Sequence, residues 1–220
     1  MRERIGNVYE FDRQTDVIGR GGMGTVYRGI HTETNTIVAI KQLNPDLIQA
    51  NADFLARFLR EADVLRTLKH PNIIRVHDVI SDIELGHYLV MDYIVGGSLW
   101  DELQATRQLP IGRVLTLARD VASALALIHQ QGIIHRDIKP ANILIADDKS
   151  PRLSDFGVVY VQDKTRLTEM DGLVGTIDYL SPEAINGSPI THQTDIWALG
   201  IMLYEMIAGK RPFGGDGVGI

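Results

Sequence analysis

The run His135-Arg136-Asp137-Ile138-Lys139-Pro140-Ala141-Asn142, followed downstream by Asp155-Phe156-Gly157, constrains this chain more than any other feature. It gathers two carboxylates, an amide and a lysine around a strand-turn-strand pattern, Ile143 to Ile145 and then Arg152 to Ser154. Taken singly, each residue has a plain structural use. His135 could pack in a core, Arg136 and Asp137 could pair locally, and Asn142 could serve a turn. Taken together they form a set suited to moving a phosphoryl group. Asp137 can accept a proton from an attacking hydroxyl, and Lys139 can neutralise charge on a phosphate in transit. Asn142 and Asp155 are hard oxygen donors of the kind magnesium prefers.

The bulk composition leaves room for such chemistry and closes other routes. With 220 residues, 45% apolar and 23% charged, the chain is long enough for one large globular domain or two small lobes. A net charge of -6 provides no global basic field for nucleic acid. The absence of cysteine removes disulfides, thiolate metal sites and cysteine nucleophiles. The polar start Met1-Arg2-Glu3-Arg4 lacks the apolar core of a signal peptide, and no run approaches the roughly 18 apolar residues of a membrane span.

Residues 8 to 43 read as strands broken by glycines, with Thr36 to Ile40 β-branched and apolar. A helix is expected over 52–69, ending before His70-Pro71. Ile73 to Ile80 and His87 to Met91 read as short strands. Gly96-Gly97 reads as a linker, and Ser98 as a helix cap with Asp101 completing a capping box. A long helix is expected from Pro110 to Gln131, with Leu115, Ala118, Ala122, Leu125 and Ile128 at helical spacing, and another from about Asp195 to Ala208. Strands dominate the first part and helices the second. That order points to an α+β fold of two lobes, 1–95 and 96–220, hinged near 92–97.

Gly19-Arg20-Gly21-Gly22-Met23-Gly24-Thr25-Val26 fits G-x-G-x-x-G-x-V. A glycine-rich hairpin turn with no ligand would fit it as well. A dinucleotide loop would open a helix, whereas Thr25-Val26-Tyr27 continues as strand, and no Gly-Lys-Ser/Thr follows. The segment therefore reads as a flap whose bare backbone N–H groups can approach phosphates. On the next strand, Val38-Ala39-Ile40-Lys41, alternation puts Ala39 and Lys41 on one side. Glu61 falls within the apolar sector of the 52–69 helix, flanked by Phe54, Phe58, Leu65 and Leu68, where a carboxylate needs a partner. Lys41 is the expected partner, and a local pair with Arg57 is the alternative.

These motifs, in this order, resemble the eukaryotic-like serine/threonine protein kinases, and Gly-Gly-Met-Gly-Thr-Val-Tyr is most similar to the bacterial members. The resemblance implies a bilobal fold, with a small antiparallel-sheet N-lobe carrying one main helix and a mostly helical C-lobe. It implies ATP with Mg2+ (or Mn2+), and transfer of the γ-phosphate to Ser/Thr hydroxyls of proteins. By resemblance Lys41, Glu61, Asp137 and Lys139 are catalytic, and Asn142 and Asp155 hold metal. Ile18, Gly19, Gly21, Gly24, Val26, Ala39, Lys41, Met91, Asp92, Ile94 and Leu144 surround the nucleotide. Leu65, Val76, His135 and Phe156 resemble an internal stack, and Asp195 is placed to brace the catalytic-loop backbone. Lys139 and Gly175-Thr176 match the serine/threonine branch, and Ser181-Pro182-Glu183 stands for Ala-Pro-Glu. Thr168, then Thr165, are expected autophosphorylation sites in a loop over 158–182, with Arg136 as the basic partner and a homodimer as the autophosphorylating form. A cytoplasmic location, protein substrates, and no nucleic-acid partner or membrane segment complete the expectation. A nucleotide-binding scaffold is the alternative.

The sequence stops at Ile220, whereas related domains continue for several helices, one of which carries an arginine partner for the position of Glu183. The expectation is therefore either a fragment or a shortened kinase lacking its last helices. It would leave Glu183 unpaired and expose part of Ile196, Trp197, Leu199, Met202, Leu203 and Met206.

Overall fold

The alternation Val38-Ala39-Ile40-Lys41 gives β5 two chemically different faces, and the first half of the fold is built on them. In the computed structural model, residues 2–50, 52–82, 85–156 and 177–213 are described. The chain forms two compact units, one of Met1–Lys69 with Ile74–Tyr93 and one of His70–Ile73 with Ile94–Ile220.

The first unit is a curled antiparallel sheet. Its strands are β1 (Arg2–Ile5), β2 (Tyr9–Asp12), β3 (Val17–Gly21), β4 (Gly24–His31), β5 (Thr36–Leu43), β6 (Val76–Asp82) and β7 (Gly86–Asp92), with the short α1 (Pro45–Ala50) and α2 (Ala52–Thr67) between β5 and β6. The order is β1-β2-β4-β5-β7-β6, with β3 paired to the start of β4. The register opposes Val26 to Lys41, Lys41 to Leu89, and Ala39 to Met91, so these residues share one face. On the other face Tyr27, Val38, Ile40, Tyr88 and Val90 pack with Ile5, Tyr9 and Phe11 of the N-terminal hairpin, forming a buried cluster. That hairpin was not foreseen beyond the general strand character of residues 8 to 43. Helix α2 lies against β6. Its buried side includes Phe54, Phe58, Ala62 and Leu65, while Glu61 is half-buried.

The second unit is mostly helical: α3 (Leu99–Thr106), α4 (Ile111–Gln130), the hairpin β8 (Ile143–Ile145) with β9 (Pro151–Leu153), α5 (Pro182–Ile185) and α6 (His192–Ala208). The capping box is present as expected, with Ser98 Oγ accepting from Asp101 N while Asp101 accepts from Ser98 N. Helix α4 buries Val114, Leu117, Val121, Ala124, Leu125 and Ile128. The expected stripe was therefore rotated by one residue in its first half. Leu115 is exposed, and only Leu125 and Ile128 of that stripe are core. The sequence carries apolar residues around most of this helix, so its own periodicity could not select the inner face. Helix α6 buries Leu199, Met202 and Met206 but exposes Ile196, Trp197, Tyr204 and Ile207, and Phe213 stacks on Trp197 with ring centroids 5.9 Å apart.

Candidate active site

In the first unit the glycine flap is the β3–β4 hairpin, closed by the pair Gly21–Gly24. Its glycines fall into two kinds. Gly24 has φ +150°, and a Cβ there would lie 1.9 Å from the Gln42 carbonyl oxygen, so the fold itself requires glycine. Gly21 and Gly22 have no positive φ, and a Cβ on either would meet nothing within 4 Å among the described residues. Packing asks for no glycine at those two positions, and their bare backbone faces open space. Lys41, 9% exposed, stands on the same face as Val26, Ala39 and Met91. Ile18 is exposed on β3. At the end of β7, Asp92 N donates to Arg75 O at 3.0 Å, and Asp92 Oδ1 lies 2.7 Å from His77 Nε2. The hydrogen bond from His77 holds the Asp92 carboxyl below the usual carboxylate range, against the opposing effect of burial. His77 was not singled out from sequence, since a lone histidine in a strand carries no signal.

The second unit holds the catalytic-loop candidates. Its local geometry begins with Asp195, 1% exposed near the start of α6. Asp195 Oδ2 accepts from His135 N and Oδ1 from Arg136 N, both at 2.8 Å. Oδ2 also lies 2.7 Å from His129 Nε2, a contact the sequence reading missed. These bonds hold Arg136 at φ +68°, a left-handed conformation that a non-glycine residue rarely adopts unless its surroundings enforce it. His135 is fully buried, with Nε2 2.9 Å from Ser154 O and its ring 4.9 Å from Phe156. Burial pushes its pKa down, so the imidazole is neutral and Nε2–H donates to the Ser154 carbonyl.

Around Asp137 the side chains converge. Lys139 Nζ lies 2.9 Å from Asp137 Oδ2. Asn142 Nδ2 donates to the same Oδ2 at 2.8 Å and to Asp137 O at 2.7 Å. Both donors meet one carboxylate oxygen, so Oδ1 receives neither. With its amide nitrogen committed to Asp137, Asn142 has its Oδ1 as the side-chain atom able to act as a metal donor. A 3-10 turn over Pro140–Asn142 sets this orientation. Ser154 then ties the next element to Asn142, its N and Oγ donating to Asn142 O at 2.9 and 3.0 Å. Asp155, held at φ +52°, follows directly. Asn142 and Asp155 are thus linked through one residue, and an amide oxygen with a carboxylate is a donor set that fits magnesium. Leu144, on β8, bridges to Ser98.

The whole constellation follows one pattern. Residues 13–218 match the family described as the protein kinase domain. The chain belongs to that family. As a kinase domain it is similar to the serine/threonine-protein kinase PkaA of Streptomyces coelicolor, 41% identical over 90% of this chain and 39% of that protein. PrkC of Bacillus subtilis, also named a serine/threonine-protein kinase, is 38% identical over 97% of this chain and 32% of its own length. A probable serine/threonine-protein kinase PknB of Lactococcus lactis is 39% identical over 90% of this chain and 32% of that protein. The chain spans about a third of the length of these relatives.

Some expectations on this kinase domain meet different surroundings. Glu183 is half-buried, and its Oε1 accepts from Thr194 Oγ1 at 2.9 Å, a neutral hydroxyl that satisfies the oxygen without supplying a counter-charge. Of the α6 residues expected to lose cover, Leu199, Met202 and Met206 are buried, whereas Ile196 and Trp197 are exposed. Gly157, Thr165, Thr168, Gly175 and Thr176 lie outside the described residues. Arg136 Nε is buried without a hydrogen-bond partner among the described residues. No described helix is long and apolar enough to cross a membrane.

Proposed function

We propose that this domain is an ATP-dependent protein kinase that phosphorylates serine and threonine hydroxyls. The observation that carries the reading is the Asp137 cluster, in which Lys139 and Asn142 fix one carboxylate oxygen and leave the other for a substrate hydroxyl. Asp137 orients the hydroxyl and takes its proton as the new O–P bond forms. The bond between the γ-phosphorus and the β,γ-bridging oxygen breaks, ADP leaves with that electron pair, and the phosphoryl group ends on the substrate oxygen. Lys139 offsets negative charge on the group in transit, Lys41 holds the α- and β-phosphates, and Glu61 fixes Lys41. Asn142 and Asp155 would hold magnesium, which supplies charge neutralisation on the phosphate oxygens. Ile18, Gly19, Gly21, Gly24, Val26, Ala39, Met91, Asp92, Ile94 and Leu144 line the nucleotide. The open backbone at Gly21 and Gly22 supports the phosphate role.

The serine/threonine assignment rests on Lys139 and on the similarity to relatives named serine/threonine-protein kinases. Autophosphorylation at Thr168, then Thr165, would give Arg136 an anionic partner, most simply within a homodimer. Because ATP is the donor, we place the domain in the cytoplasm. No observation favours the non-catalytic scaffold. The test is transfer of labelled phosphate from Mg-ATP to a generic serine/threonine protein, with mass mapping of the chain itself. Transfer lost in Asp137→Asn supports the reading. A wild type that binds Mg-ATP but transfers nothing overturns it.

A further inference from the structure

One residue of the first unit touches the flap, the lysine strand and the following helix together. Asn44 directly follows β5, just beyond the Gly24–Leu43 pair. Its N–H donates to Met23 O at 3.0 Å, which extends the β4–β5 ladder into the flap turn. Its Nδ2 donates to Gly22 O at 3.4 Å. Its Oδ1 accepts from Asp46 N at 3.0 Å and its carbonyl from Leu47 N at 3.2 Å, which starts α1. The side chain thus has a divided use, with its oxygen capping a helix and its nitrogen reaching the turn.

We propose that Asn44 is a positioning residue that holds the tip of the phosphate flap in its binding conformation. The inference rests on the reading of the flap as a triphosphate site. A glycine-rich turn with open space around Gly21 and Gly22 has much conformational freedom to lose when a ligand arrives. A tip already held through Gly22 O and Met23 O has lost part of that freedom beforehand, so binding becomes tighter without any contact between Asn44 and the nucleotide. The carbonyls are the groups held, which keeps the tip N–H groups available for phosphate oxygens. The ladder also fixes the tip relative to Lys41 on the same strand.

Helix capping and flap holding can be separated by substitution. Serine caps as well as asparagine does but is too short to reach Gly22 O, whereas alanine does neither. In the full protein, Asn44→Ser should retain the wild-type melting temperature while amide exchange of residues 19–24 quickens and the KM for ATP rises about three- to tenfold, with kcat falling less. Asn44→Ala should show the same flap and KM changes with a lower melting temperature. Wild-type flap exchange and KM in Asn44→Ser would overturn the proposal. If the wild type bound no Mg-ATP, the triphosphate reading would fail, and flap exchange in the unliganded protein would still decide whether Asn44 holds the turn.

Discussion

Asp137 owes its orientation to two neighbours on one oxygen, and that arrangement sets what a single substitution does. Asp137→Asn keeps the shape but removes the proton acceptor, so kcat should fall about 10²–10⁴-fold with the fold intact, as steady-state phosphoryl transfer and circular dichroism would record. The flap glycines give a paired prediction. Gly24→Ala meets the Gln42 carbonyl and should destabilise the domain by more than about 1 kcal/mol. Gly21→Ala meets nothing nearby and should leave denaturant unfolding unchanged while raising the KM for ATP. Equal effects of the two on stability would contradict the distinction drawn between them. His135 predicts a pH dependence. Its native pKa is lowered by burial, whereas in the unfolded chain it titrates near 6.5. Below about pH 6.5 the unfolded state therefore binds more protons, and stability falls as pH falls from about 7 to about 5. His70 and His87, also lowered by burial, add in the same direction. Urea unfolding across that range should show the loss, with a shallower slope in His135→Gln.

At the scale of elements, the N-terminal hairpin is the informative case. The family match begins at residue 13, yet Ile5, Tyr9 and Phe11 lie in the buried cluster on the sheet face opposite Lys41. Phe11→Ala should cost about 3–5 kcal/mol in denaturant unfolding, as a fully buried aromatic does, and a neutral result would show that the hairpin is only an appendage. Strand β1 was not legible because Arg2-Glu3-Arg4 lacks apolar alternation, and only its pairing with β2 makes it a strand. Strand β5, the Ser98 capping box and the catalytic loop were legible because each carries its signal locally, in β-branched alternation, a cap spacing or a dense set of polar types. The buried face of α4 was not, since Val114 and Leu115 are equally apolar and only packing distinguishes them. His129 against Asp195 and His77 against Asp92 are contacts between residues far apart in sequence, which no local pattern announces.

At the scale of the molecule, the proposed machinery is divided between the units, with the flap, Lys41 and Glu61 in the first and Asp137, Lys139, Asn142 and Asp155 in the second. The central claim is that these groups serve one reaction, phosphoryl transfer from ATP, and groups that act as a unit do not contribute independently. Phosphoryl-transfer rates of the wild type, Lys41→Met, Asp155→Asn and the double variant measure this directly. The account predicts measurable transfer by the wild type, near-complete loss in each single variant, and almost no further loss in the double. Single losses that multiply in the double, or a wild type indistinguishable from Lys41→Met, would contradict it.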